Sequence, residues 1–132
     1  MKTRIEQFTS ADYPMLQSWW KTANEFAPEL NVIPSTSYVM YCNDQPILSV
    51  SLIMTNISLA WIDNFIGNPE LKGSERKECA TILLNHLSKV AKEYGKDRLF
   101  CMSMNEKTTK RYIDLGFTQT LSHVSTFVKG VN

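Results

Sequence analysis

Asn105-Glu-Lys-Thr-Thr-Lys-Arg-Tyr112-Ile-Asp-Leu115-Gly116-Phe117 is the stretch on which the fold turns. Lys107 to Leu115 reads as a short helix, and Gly116 stops it, because the residue just past a helix end favours a positive φ. Arg98 to Met104 ahead of it reads as a strand. Before that strand lies a long helix in which Ala80, Leu83, Leu84, Leu87, Val90, Ala91 and Tyr94 recur at threes and fours, one buried stripe. Gly95 closes this helix, and the polar loop Glu70 to Ser74 opens it.

Further towards the N-terminus the period changes from helical to two. Leu59 to Ile66 reads as a strand that breaks at Gly67-Asn68-Pro69. Ile47 to Thr55 is another, with Leu48, Val50, Leu52 and Met54 on one face and Ser49, Ser51 and Thr55 on the other. Asn43-Asp44-Gln45-Pro46 is turn chemistry joining it to a strand at Tyr38 to Cys42. Residues 25–35 hold two prolines and no clean period, which marks a loop or short helix facing a substrate. Ser10 as N-cap, with Asp12 in the first turn and Pro14 behind it, opens a first helix that runs to about Asn24 through Met15, Leu16, Trp19 and Trp20. Ile5 to Thr9 reads as a first strand and Phe117 to Val128 as one or two last strands. The expected architecture is mixed α/β: one domain over residues 1–132, three layers, a central mostly antiparallel sheet with a parallel crossover, and helices flanking it.

Composition narrows the classes. The chain has 132 residues, 43% hydrophobic and 20% charged, the profile of a globular domain rather than a disordered or disulfide-dense one. Lys plus Arg is 14 against 13 Asp plus Glu, a net charge of +1 that argues against nucleic acid as a partner. No apolar run approaches a membrane span, and Met-Lys-Thr-Arg-Ile-Glu at the start lacks a secretory apolar stretch, so a cytoplasmic protein is expected. Cys42, Cys79 and Cys101 are three cysteines at wide spacing, which fits reduced thiols. Cys79 stands near the start of the long helix, where a thiol pKa can fall, although packing explains it as well. His86 and His123 have no ligand-like spacing, so no metal is expected.

Tyr112-x-x-Leu115-Gly116-Phe117, with Asn105 seven residues before the tyrosine and the strand–loop–helix ahead of both, resembles the GNAT superfamily of acyl-CoA-dependent N-acyltransferases. The order of elements is similar to that family from Ile5 to the C-terminus. The resemblance implies acetyl-CoA, or another acyl-CoA, as co-substrate and a primary amine on a small molecule or a protein as acceptor. It implies that the strand segment Phe65, Ile66 and Gly67 pairs with the pantetheine arm. The loop and helix start at Gly73, Ser74, Glu75, Arg76 and Lys77 would take the pyrophosphate, as helix N-termini do. Asn105 and Thr108 would touch the cofactor, although Asn105 also suits a helix cap. Tyr112 would protonate the leaving thiolate, or else pack before Gly116-Phe117. Asp63, a carboxylate inside the apolar run Trp61-Ile-Asp-Asn-Phe65, would serve as base or ammonium anchor if it faces a cleft, and as an ordinary edge residue if it faces solvent. Glu25 and Glu29 stand in the irregular segment as acceptor-recognition candidates or as solvated loop carboxylates.

One part departs from the pattern. The family motif at the phosphate loop is Arg or Gln, two residues, Gly, one residue, then Gly or Ala; the aligned positions hold Glu75, Glu78 and Ala80. Only Ala80 fits, and two carboxylates near a pyrophosphate oppose binding. This keeps a second reading open, a catalytically inactive binding or interaction module of the same fold. Either reading allows a monomer or a homodimer.

Overall fold

The computed structural model describes residues 1–103, 106–121, 127, 129 and 130. Two compact units make up the chain, Met1–Met102 and Ser103–Asn132. The first holds a five-stranded sheet in sequence order, β1 (Thr3–Gln7), β2 (Ser37–Cys42), β3 (Gln45–Met54), β4 (Leu59–Gly67) and β5 (Arg98–Cys101). The first three pairings are antiparallel and β4–β5 is parallel, so the sheet is mixed and mostly antiparallel, as expected. Helix α1 (Tyr13–Thr22) joins β1 to β2, and α2 (Ser74–Glu93) makes the crossover from β4 to β5.

The sequence pattern explains why β3 is central. Ile47 to Leu52 are all buried, so both faces of this strand are covered. The apolar face carries Leu48, Val50 and Leu52; the serine face carries Ser49 and Ser51, and these are as buried as the leucines. Leu83, Leu84, Leu87, Val90 and Ala91 form the buried stripe of α2, which packs on β2, β3 and β5. Leu16, Trp19 and Trp20 of α1 cluster with Ile66 of β4, and Phe8, Met15 and Ala27 close around them. Asn43 and Asp44 both have positive φ, 51° and 66°, the geometry of a two-residue hairpin between β2 and β3.

Several boundaries move. The N-cap of α1 is Asp12 rather than Ser10, and ahead of it Ser10–Asp12 form a 3-10 turn capped by Thr9, whose N–H donates to Asp12 Oδ2 at 2.8 Å. β1 therefore ends at Gln7, two residues earlier than its pattern suggests. Tyr94 is exposed, because it is the C-cap beyond the last residue of α2 and leaves the helical path with φ −89° and ψ 11°. β5 ends at Cys101; the expected extension to Met104 fails at Met102 and Ser103, and Met104 lies outside the described residues. Residues 117–121 form no strand, and most of the rest of the expected last strands lies outside the described residues.

In the second unit, α3 (Glu106–Asp114) is the short helix predicted from Lys107 to Leu115. Among the described residues no helix is long and apolar enough to cross a membrane. Among them, too, no group of three or more His, Cys, Asp or Glu side chains is placed to hold a metal ion.

Candidate functional site

Two departures from regular pairing set β4 apart. The first is a bulge. Ser49 faces Ile66 and Ser51 faces Asp63, so two β4 residues, Asn64 and Phe65, stand opposite the single residue Val50. Asn64 takes the strain with φ 54°, a left-handed conformation that asparagine tolerates better than most residues. Bulges bend a strand and re-aim its side chains, and they recur beside active sites. The second departure is length. Parallel pairing with β5 covers only Leu59 to Ile62, opposite Arg98 to Cys101. β4 then runs on through Asp63–Gly67 with no strand paired to that edge among the described residues. Backbone groups along such an edge bond to water, or to an extended amide-bearing ligand laid against them.

Asp63 sits where the two departures meet. It is exposed, and its Oδ1 accepts the backbone N–H of Asn64 at 2.7 Å. Its carboxylate is thus tied to the bulge and open to solvent at once. Phe65 is half-buried, and Ile66 and Gly67 are buried.

Six residues lead from Gly67 to α2. Asn68 holds this turn by donating Nδ2–H to Pro46 O (2.9 Å) and accepting the Glu70 N–H (3.0 Å). Gly73 is the N-cap, with φ 103° and no side-chain cap bond. The Lys77 N–H closes onto Gly73 O at 3.3 Å, so the N–H groups of Ser74, Glu75 and Arg76 head the helix. Arg76 folds back over the end of β4: a Cβ on Gly67 would collide with its guanidinium. A glycine is what lets the cation lie on the strand backbone. From Glu70 to Glu78 there are three cations (Lys72, Arg76, Lys77) and three carboxylates (Glu70, Glu75, Glu78), so net charge does not decide what binds here. Position does. Arg76 is at the strand end, whereas the Glu75 Oε2 is 3.8 Å from the Cys42 thiol on β2, which donates to it. The uncapped helix start and the guanidinium fit a pyrophosphate despite the missing motif glycine.

Cys79, one turn further along, is fully buried. Burial pushes its thiol up to about 11, and the neighbouring Cys42 thiol, then Glu78 and Glu75, add to this. The thiol is a packing group, not an activated one.

The Tyr-x-x-Leu-Gly-Phe motif has a local structural meaning in the second unit. Phe117 N–H donates to Tyr112 O (3.0 Å) and Gly116 N–H to Ile113 O (3.0 Å), the paired bonds of a Schellman cap, with Gly116 at φ 93°. The hydrophobic contact that accompanies such a cap is Tyr112 against Phe117, ring centroids 5.2 Å apart. Tyr112 is buried. Thr108 is half-buried, and its neighbour Thr109 hydrogen-bonds Ser103 Oγ at 3.1 Å. Asn105 lies outside the described residues.

Glu25 and Glu29 are both exposed, on the segment between α1 and β2. That segment is irregular apart from one 3-10 turn, Leu30–Val32. Ala27 packs on the Leu16, Trp19, Trp20 and Ile66 cluster, which anchors the segment beside the end of β4. Phe26 is fully exposed, at 101%. The first unit therefore brings together Phe65, Ile66, Gly67 and Arg76 closely, with Asp63 on the same strand.

The sequence pattern passed over Ser37, Ser51 and Asn64. Ser51 Oγ lies 2.8 Å from Ser37 Oγ and accepts Asn64 Nδ2–H at 3.1 Å. An asparagine inside an apolar strand was the available signal, since asparagine is enriched at positive φ.

No family model and no curated relative matches the sequence. Solved structures do match the fold. N-acetylglutamate synthase from Neisseria gonorrhoeae, solved with coenzyme A and N-acetyl-glutamate, superposes with a TM-score of 0.75 at 21% identity. The match covers 92% of this chain and 29% of that one, so this chain corresponds to less than a third of that protein. A Trypanosoma brucei acetyltransferase gives 0.73 at 14% identity over 96% of this chain and 100% of that one. The ribosomal-protein-S18-alanine N-acetyltransferase of Escherichia coli gives 0.73 at 16% identity over 91% and 80%. The fold is the GNAT fold, shared across almost the whole chain with acetyltransferases.

Proposed function

We propose that this chain is an N-acyltransferase that moves an acyl group, acetyl in the first instance, from an acyl-CoA to a primary amine. The observation that carries the reading is the edge of β4 left unpaired among the described residues: a strand that bulges at Asn64, outruns its parallel partner from Asp63 to Gly67, and ends under the Arg76 guanidinium. Acyl-CoA is here a substrate, and its thioester supplies the activated carbonyl. The Phe65–Gly67 backbone pairs with the pantetheine amides, and Gly73 to Lys77 with Arg76 holds the pyrophosphate. Asn105 and Thr108 add contacts to the cofactor. Glu25 and Glu29 draw the acceptor's positive charge to the segment beside β4, and the acceptor is a small-molecule or protein amine.

The reaction balances simply. The acceptor ammonium gives a proton to Asp63 or to a water. Its lone pair attacks the thioester carbon, a C–N bond forms, and the C–S bond breaks. Tyr112 hands its phenolic proton to the departing thiolate, and the second proton that the nitrogen sheds on becoming an amide returns through solvent to restore the phenol. The polarised carbonyl meets N–H donors near the bulge, where fixed dipoles act most strongly on developing charge. A cytoplasmic enzyme, one domain over residues 1–132, completes the proposal.

The test is thiol release from acetyl-CoA across a panel of primary amines and lysine peptides. Amine-dependent release is expected. Binding without release for any amine supports the second reading, a non-catalytic module, which Glu75 and Glu78 in place of the motif residues favour.

A further inference from the structure

Ser37, Ser51 and Asn64 form a hydrogen-bonded ladder across three strands. Ser37 faces Ser51 in the β2–β3 register, and Ser51 faces Asp63 beside the bulge in the β3–β4 register. Both serines are buried, at 1% and 2% exposure. Ser37 Oγ donates to Pro34 O at 2.8 Å. That carbonyl can only accept, so the one Ser37 proton is committed there. The 2.8 Å contact between the two hydroxyls must then use the Ser51 proton, with Ser37 Oγ accepting. Ser51 Oγ has only lone pairs left for Asn64, so the Asn64 amide must present Nδ2–H to it, at 3.1 Å. Every proton has one place, and the amide cannot flip without losing a bond.

We infer that Ser51 and Ser37 are positioning residues: they lock the Asn64 side chain, and so hold the left-handed backbone that makes the β4 bulge. The ladder rests on the acyltransferase reading for its purpose, since the bulge sets the donors and Asp63 at the reacting carbonyl. It does not rest on that reading for its existence. Its far end is Pro34 O, at the exit of the segment that carries Glu25 and Glu29, so the same bonds tie the acceptor side of the sheet to the bulge.

The test compares amide hydrogen exchange along β4 in the full chain and in four variants. Ser51→Ala should speed exchange at residues 63–66 about tenfold or more, because the bulge loses its lock. Ser49→Ala is the control: Ser49 is equally buried on the same strand face but donates to Tyr38 O, outside the ladder, and should leave residues 63–66 unchanged. Adding Asn64→Gly to Ser51→Ala should restore slow exchange, since glycine adopts positive φ without help. Ser37→Ala cuts the same ladder one rung away and replaces Ser51→Ala if that variant does not fold. Thiol release gives the functional arm: Ser51→Ala should lower kcat about tenfold with KM for acetyl-CoA within about twofold, and the double variant should recover. The proposal is overturned if Ser51→Ala exchanges no faster than Ser49→Ala, or if Asn64→Gly rescues nothing. A wild-type chain that neither binds nor turns over acetyl-CoA sinks the acyltransferase reading, while the exchange result still decides the ladder.

Discussion

Gly67 and Arg76 belong to different elements, yet each explains the other. The guanidinium can lie on the strand end only because Gly67 has no Cβ. Gly67→Ala is therefore expected to displace a flexible side-chain end and to leave the sheet intact. Coenzyme A affinity should fall about tenfold or more, the loss of one charge-assisted contact, with the melting temperature nearly unchanged. Arg76→Ala should give the same loss, and the double variant little more; calorimetric titration checks all three. Additive losses would mean that the two positions act separately. Tyr112 calls for a different argument. Tyr112→Phe keeps the ring against Phe117, so stability should stay within about 1 kcal/mol, while kcat falls about a hundredfold if the phenol is the general acid. Unchanged turnover would leave Tyr112 as a cap residue alone.

At the scale of elements, helix ends were the most legible feature of the sequence. α1 stops at Asn24, α2 at Gly95 and α3 at Gly116, all at positive φ, and each carries the same paired bonds back into its last turn. For Gly116 the Cβ of an alanine would meet open space, so only backbone strain opposes it. Gly116→Ala should cost about 1–2 kcal/mol in the closing turn of α3, read as faster exchange of the Leu115 and Phe117 amides. The stripe of α2, the Asn43-Asp44 hairpin and the order of elements along the chain from β1 to α3 were legible too, because each follows from a period or a turn residue within a few positions. The bulge was not. Its cause is a register shift between β3 and β4, a property of two strands at once, and alternation within either strand does not show it. The serine face of β3 misled in the same way. Serines at alternate positions read as the polar face of a strand, whereas here they are buried because each finds a partner on β2 or β4. Arg76 over Gly67 was half visible: both residues were candidates, but a contact between a strand end and a helix turn is tertiary.

Across the whole molecule, the half-buried imidazole of His86 links the fold to pH. His86 on α2 packs edge-on against Tyr38 of β2, with ring centroids 4.8 Å apart. Burial lowers its pKa from the ordinary 6.5; Glu93 partly opposes this and Lys89 adds to it. The folded chain thus prefers neutral His86 more than the unfolded chain does. Stability from this site is complete above pH 6.5 and is lost as pH falls from there through the lowered pKa of the folded state. Wild type should lose more melting temperature between pH 7.5 and 5.5 than His86→Leu does; equal losses would remove His86 from the account. The same sheet that packs against His86 presents the β4 edge left unpaired among the described residues, so ligand binding there should be felt by the whole first unit.

The most direct test is thermal unfolding of the full chain with and without acetyl-CoA. At one hundred times its dissociation constant, a ligand that binds only the folded state adds about 2.7 kcal/mol, a shift of several degrees. The account predicts such a shift for acetyl-CoA and for free coenzyme A, and its marked reduction in Arg76→Ala. No shift with either ligand at millimolar concentration would contradict it.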